Sequence, residues 1–180
     1  MINDIEKVLL TNEEISNIAK KIGAEITKEY AGKKPILIGL LKGCVPFMAE
    51  LMKHIDCPME MDFMDVSSYR GIMSTGAITI IKDLEVSIKG RDVIIVEDVI
   101  DSGLTIQEVI NLLNKRGANS IEVATLLDKP EARKVKCQQP KWVGSNIGPE
   151  FVVGFGLDYD ELYRNLGYVG VLKKSVYEKK

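Results

Sequence analysis

A chain of 180 residues is long enough for one domain with a substantial core and a small attached lobe. Its 24 lysines and arginines against 26 aspartates and glutamates leave a net charge of −2, so no nucleic-acid or anionic-membrane surface is expected. No apolar run is long enough to span a bilayer, and Cys44, Cys57 and Cys137 are too few and too scattered for a metal or redox motif, which suits a reducing, cytoplasmic compartment.

With Asp4 and Glu6 placed early, no signal-type apolar core is expected at the N-terminus. Residues 5–10 read as a short strand. Thr11 followed by Glu14 has capping-box spacing, and Ile15, Ile18, Ile22 and Ile26 recur on one face of the helix that follows. After Pro35, residues 36–41 read as a buried strand, with Lys42 and Gly43 at its end and Pro46 near the start of a second helix. Ligands of open α/β sheets bind beyond such strand ends, and a lysine there can meet phosphate as a point charge. His54, the only histidine, falls late in the second helix and takes no role. Met59, Met61 and Phe63 alternate as in a strand. Residues 67–76 are polar and glycine-bounded, as in a mobile hairpin loop, with a returning strand over 78–81 and a turn over 88–91.

The stretch that organises the chain comes next. Val93 to Val96 is a β-branched apolar run, as in a buried parallel strand, and Glu97 and Asp98 sit where it should end. Asp101 opens a small-residue turn in which Gly103 permits close approach of a ligand. Thr105 with Glu108 has the spacing of a capping box for a helix whose apolar face is Ile106, Val109, Ile110 and Leu113, ended by Gly117. A strand, a tight turn and a helix N-terminus form an anion cradle. Two acids beside it would repel phosphate, so they are expected to serve ribose hydroxyls, directly or through magnesium. Asp101 remains as a candidate base. The nucleoside-triphosphate P-loop pattern is absent.

Val96-Glu97-Asp98-Val99-Ile100-Asp101-Ser102-Gly103-Leu104-Thr105 resembles the phosphoribosyl-diphosphate signature of the type I phosphoribosyltransferases. Further landmarks along nearly the whole chain point to the 6-oxopurine branch, the hypoxanthine and hypoxanthine-guanine enzymes. Lys42 and Gly43 are similar to its pyrophosphate-contacting loop, whose peptide before the lysine is often cis. Ser68 and Tyr69, in the 67–76 loop, are similar to its active-site lid. A strand over residues 121–127 leads to Asp128-Lys129-Pro130, where Lys129, having donors only, would favour a 6-oxo over a 6-amino group. Residues 134–141 read as a charged connection, and residues 142–144 and 148–149 as the flanks of a loop. The run 151–159 resembles the purine pocket. There Phe151 would stack on the base and Val152 would offer backbone groups to its edge. Asp158 is similar to a second magnesium-associated carboxylate, and Arg164 to a pyrophosphate-binding arginine.

The alternation of strands and helices predicts an α/β fold with a mainly parallel sheet flanked by helices. The resemblance adds a small hood from the two chain ends and implies a homodimer or homotetramer. It also implies Mg2+ near Glu97, Asp98 and Asp158, with 5-phosphoribosyl 1-diphosphate and a 6-oxopurine as substrates. In that reaction Asp101 acts on the purine proton, and the amides of Ser102, Gly103, Leu104 and Thr105 hold the 5′-phosphate. Two other readings are weaker. A non-enzymatic sugar-phosphate sensor on this fold should carry an added basic face or extension. A phospho-accepting receiver domain has acids at strand ends but does not account for the Asp-Ser-Gly-Leu-Thr turn. Preference among hypoxanthine, guanine and xanthine stays open.

Overall fold

The computed structural model describes residues 1–68 and 78–178. Strands β1 (Ile5–Leu10), β2 (Ile36–Leu40), β3 (Glu60–Ser68), β4 (Ile78–Lys82), β5 (Asp92–Ile100), β6 (Ser120–Asp128), β7 (Trp142–Asn146), β8 (Val152–Val153) and β9 (Val169–Leu172) alternate with helices α1 (Asn12–Glu29), α2 (Val45–Met52), α3 (Leu104–Lys115) and α4 (Lys174–Tyr177). Six strands form one sheet in the order β4-β3-β2-β5-β6-β7. All run parallel except β4, which pairs antiparallel with β3.

The sheet is covered on both faces, which is why its inner strands are continuously apolar. Period-2 alternation divides them. Leu37, Ile94 and Val96 pack with Ile15, Ile22 and Ile26 of α1 and Phe47, Met48 and Leu51 of α2. On the opposite face Ile36, Ile38, Val93 and Ile95 pack with Ile106, Val109, Ile110 and Leu113 of α3. Each such buried side chain contributes about 1.5–3 kcal/mol relative to exposure. The capping box predicted for α1 is present, since Glu14 N–H donates to Thr11 Oγ1 (3.2 Å) and Thr11 N–H to Glu14 Oε2 (2.7 Å). Gly117 follows α3 in the left-handed region at φ +79°. The hood is a second, antiparallel sheet of order β1-β9-β8, built from both chain ends as expected.

Several local expectations are corrected. The organising strand does not stop at Glu97 and Asp98. It runs on to Ile100, because β6 continues alongside and pairs Glu97 with Thr125, Val99 with Leu127 and Ile100 with Asp128. Thr105 and Glu108 form no capping box. Gly103, at φ +80°, is the N-cap, the helix starts at Leu104, and no side chain caps it. Residues 142–144 are not the flank of a loop but open β7, an edge strand anchored by the buried Trp142. His54 lies just past the end of α2. In β3 the fully inward positions are Asp62 and Met64, whereas Met61 is 49% exposed. Asp62 is tolerated there because it accepts the N–H groups of Phe63 (2.7 Å), Glu85 (2.7 Å) and Val86 (3.3 Å).

Candidate active site

The carboxyl ends of β2, β5 and β6 converge with the hood on one rim of the sheet. There, a pocket of about 140 Å³ is lined by Glu97, Asp101, Ser102, Gly103 and Thr105, with Val99, Ile100 and Ile106. The first intrahelical bond of α3 is donated by Gln107 to Gly103. The amides of Gly103, Leu104, Thr105 and Ile106 therefore have no helical acceptor, and among the described residues only Leu104 finds a distant one, in Ser102 Oγ at 3.4 Å. The capping box that fails to form would have consumed one of these donors. An uncapped helix start lined by free N–H groups suits a phosphate. Asp101 is exposed at the rim.

Successive strand positions send Glu97 and Asp98 to different surroundings. Glu97 lines the pocket, whereas Asp98 packs against Gly43, where a Cβ would fall 1.8 Å from its Oδ2. No side chain could stand at position 43 without displacing that acid. Burial, then the adjacent Asp98 charge, pushes Glu97 well above the ordinary carboxylate range. Burial also raises Asp98, opposed by the Val99 N–H (2.7 Å) and by the charge of Arg164.

The Leu41-Lys42 peptide is cis, and its loop is packed from above by the hood, since a Cβ on Gly156 would lie 2.0 Å from the Gly43 carbonyl. This contact brings the chain after β8 over the end of β2. Arg164 there donates to the Gly156 carbonyl (2.7 Å) and pairs with Asp158 Oδ1 (2.8 Å). Glu161, which sequence reasoning passed over, lies 3.0 Å from Lys42 Nζ and 3.4 Å from Arg164. Neither Asp158 nor Arg164 is on a helix; Arg164 lies in a turn and Asp158 in the irregular stretch that leads into it.

A third group forms beside the cradle. Lys129 is half-buried and donates from Nζ to the Glu150 carbonyl at 2.9 Å, which places a cation next to Phe151. Phe151 is 37% exposed, stacks on Tyr177 at 5.0 Å and meets the edge of Tyr159 at 5.7 Å. β8 is an edge strand, and Leu172 N–H donates to the Phe151 carbonyl. By the alternation of an antiparallel ladder, the N–H and C=O of Val152 then point away from β9.

Residues 7–160 match the family model described as the phosphoribosyl transferase domain. The chain is 55% identical over 179 residues to the hypoxanthine-guanine phosphoribosyltransferase of Bacillus subtilis, covering 99% of each chain. The Streptococcus pneumoniae protein of the same name is 56% identical over 176 residues, 97% of each chain. The chain belongs to the hypoxanthine-guanine phosphoribosyltransferase family. Its fold agrees: a crystal structure of a hypoxanthine phosphoribosyltransferase from Staphylococcus aureus superimposes with a TM-score of 0.96 at 52% identity, covering 99% of this chain and 97% of that one.

A second residue of this phosphoribosyltransferase, Arg133, was not singled out by its sequence. Its Nη1 donates to the carbonyls of Ile100 (2.9 Å), Asp101 (2.6 Å) and Lys129 (3.3 Å), and its Nη2 to the buried Asp128. Lys134 N–H adds a bond to the Ser102 carbonyl (2.9 Å). One guanidinium thus ties the cradle turn to the loop that carries Lys129. No local pattern marks it, because its partners come from two separate strand ends.

Among the described residues, no three His, Cys, Asp or Glu side chains converge into a metal cage, so Glu97, Asp98 and Asp158 do not form one together. Asp158 is already engaged by Arg164 and by the Glu161 N–H (2.9 Å). The half-buried and mutually repelling Glu97 and Asp98 still fit Mg2+, which binds through one or two carboxylates plus substrate oxygens and keeps several waters. Tyr69 and most of the expected lid lie outside the described residues, and Ser68 is described only as the last residue of β3.

Proposed function

We propose that this enzyme transfers the 5-phosphoribosyl group of 5-phosphoribosyl 1-diphosphate to hypoxanthine or guanine, releasing pyrophosphate and the nucleoside 5′-monophosphate. The observation that carries this reading is the placement of Lys129 beside Phe151, next to a helix N-terminus whose amides are free. One group suits an oxopurine and the other a phosphate, and Asp101 lies on the turn between them.

Displacement at the anomeric carbon develops oxocarbenium character, so the leaving diphosphate must be neutralised and water excluded. Lys42 and Arg164 supply fixed positive charge for the leaving group. Glu97 and Asp98, and Asp158 once Arg164 releases it, would hold Mg2+, which would supply further neutralising charge at the diphosphate. Glu97 and Asp98 orient the ribose hydroxyls, and the amides from Ser102 to Thr105 hold the 5′-phosphate. Asp101 takes or holds the proton of the purine's imidazole ring. Phe151 stacks on the base, the outward-facing groups of Val152 meet its edge, and the Lys129 ammonium, a donor only, selects a 6-oxo acceptor over a 6-amino donor. Substrates of this size need no nucleic-acid or membrane surface. No described helix is long and apolar enough to cross a membrane, and three free cysteines are compatible with work in the cytoplasm, as a homodimer or homotetramer.

The test is product identification. The purified protein with Mg2+, the sugar diphosphate and either hypoxanthine or guanine should yield inosine or guanosine 5′-monophosphate from at least one of the two bases by mass spectrometry, and chelation of the metal should stop its formation. Absence of nucleotide with each of the two bases, sugar diphosphate and metal present, would exclude the assignment.

A further inference from the structure

Between Asp158 and Arg164 the backbone makes a turn in which Asp160, Glu161 and Tyr163 take φ values of +56°, +64° and +73°. Non-glycine residues seldom adopt this region, so three in so short a stretch are held there by their contacts. Asp158 Oδ2 accepts the Glu161 N–H at 2.9 Å, and Tyr159 and Leu162 exchange backbone bonds of 3.2 and 3.0 Å across the turn. What the turn presents is a carboxylate. Glu161 Oε2 lies 3.0 Å from Lys42 Nζ, and Oε1 lies 3.4 Å from Arg164 Nη2. These are the two cations assigned above to the leaving diphosphate. The hydrogen bond from Lys42, then that from Arg164, holds the Glu161 carboxyl below the usual carboxylate range, so it is an anion at neutral pH.

We propose that Glu161 is a resident anion of the diphosphate subsite. Its carboxylate pairs with Lys42 and, alongside Asp158, with Arg164 while the site is empty, and gives them up when a diphosphate arrives. This rests on the reading of Lys42 and Arg164 given under the proposed function. The side chain is 64% exposed, and that of Lys42 is 62% exposed, so the pair adds little to fold stability and the displaced carboxylate rotates into water at small cost. Its backbone stays in place, because the N–H remains bonded to Asp158. Two consequences follow for the reaction. The enzyme surrenders part of its affinity for the sugar diphosphate, and it sheds pyrophosphate faster, because the returning carboxylate competes for the same cations.

Inorganic pyrophosphate provides the probe, titrated with MgCl2 into the protein and its Glu161→Gln and Glu161→Asp variants by calorimetry. One exposed ion pair, with Lys42, and one half-exposed pair, with Arg164, set the scale, and removing the charge should tighten pyrophosphate binding by about three- to tenfold. Glu161→Gln should also lower the KM for the sugar diphosphate and lower kcat where product release limits turnover, with the urea midpoint unchanged. Glu161→Asp keeps the charge on a shorter arm and should fall between the two. Equal or weaker pyrophosphate binding by Glu161→Gln overturns the proposal while leaving the diphosphate subsite intact, since it would make Glu161 a positioning residue for the two cations. If the unaltered protein binds no pyrophosphate, the subsite assignment fails and the proposal fails with it.

Discussion

Replacing Arg133 with methionine tests whether one guanidinium holds the cradle and the base-recognition loop together. Its partner Asp128 is 4% exposed, and the Arg133 side chain itself only 13%. Removing the cation leaves a buried carboxylate uncompensated, a change that costs about 3–5 kcal/mol. The Asp101 carbonyl loses a donor as well, while that of Ile100 keeps the Lys129 N–H at 2.9 Å and that of Lys129 keeps the Ala132 N–H at 3.0 Å. In a chain of this length each kcal/mol lowers Tm by about 2–4 °C, so Arg133→Met should melt about 6–20 °C lower. Urea unfolding of Arg133→Met, Asp128→Asn and the double variant gives the coupling directly. Because Asp128→Asn removes the stranded charge, the double variant should recover about 1–3 kcal/mol over Arg133→Met alone. The KM for the sugar diphosphate should rise in Arg133→Met, since the turn that bears the cradle amides loosens. A loss below about 1 kcal/mol, or a double variant no more stable than Arg133→Met, would refute the clamp.

Asp101→Asn should lower kcat by about 100- to 10,000-fold with a milder effect on sugar-diphosphate binding, measured by steady-state kinetics; near-normal turnover contradicts its role as base. Lys129→Ala should raise the KM for hypoxanthine and guanine more than that for the sugar diphosphate, and equal changes in both would place the lysine elsewhere. Glu97→Gln should lose activity yet stabilise the metal-free protein. The folded-state pKa of Glu97 is raised, so ionising it disfavours folding as pH climbs above its unfolded value of about 4.3. The stability gap between variant and parent in chelator-containing buffer should therefore open as pH rises to neutrality and close toward pH 4. A gap independent of pH would show that the charge is not destabilising.

The parallel sheet was legible because its strands are covered on both faces and read as continuous apolar runs, Ile36 to Leu40 and Val93 to Val96 above all. α1 was legible to its first residue, since Thr11 and Glu14 carry both halves of their cap within four positions. The start of α3 was not, because a backbone feature, the positive φ of Gly103, does the work that the Thr105 and Glu108 spacing suggested for side chains. β7 escaped because an edge strand needs only Trp142 and part of Val143 buried, too little for a pattern. In the site, contiguous pieces such as Asp101 to Thr105 could be grouped from sequence alone. Arg133 and Glu161 could not, since each acquires its meaning from partners on other segments: three carbonyls from two strand ends in one case, Lys42 in the other. Placing Asp158 with Glu97 and Asp98 as a metal set followed the resemblance, whereas here its carboxylate is taken by Arg164.

The central claim is that one site joins a sugar diphosphate to a 6-oxopurine. It is tested most directly by following pyrophosphate release from 5-phosphoribosyl 1-diphosphate and Mg2+ with hypoxanthine, guanine, xanthine or adenine offered one at a time. Pyrophosphate should appear with hypoxanthine, guanine or both, stay at background with no base, and stay at background with adenine. Efficient release with adenine, or release at the same rate whether or not a base is present, would contradict the account.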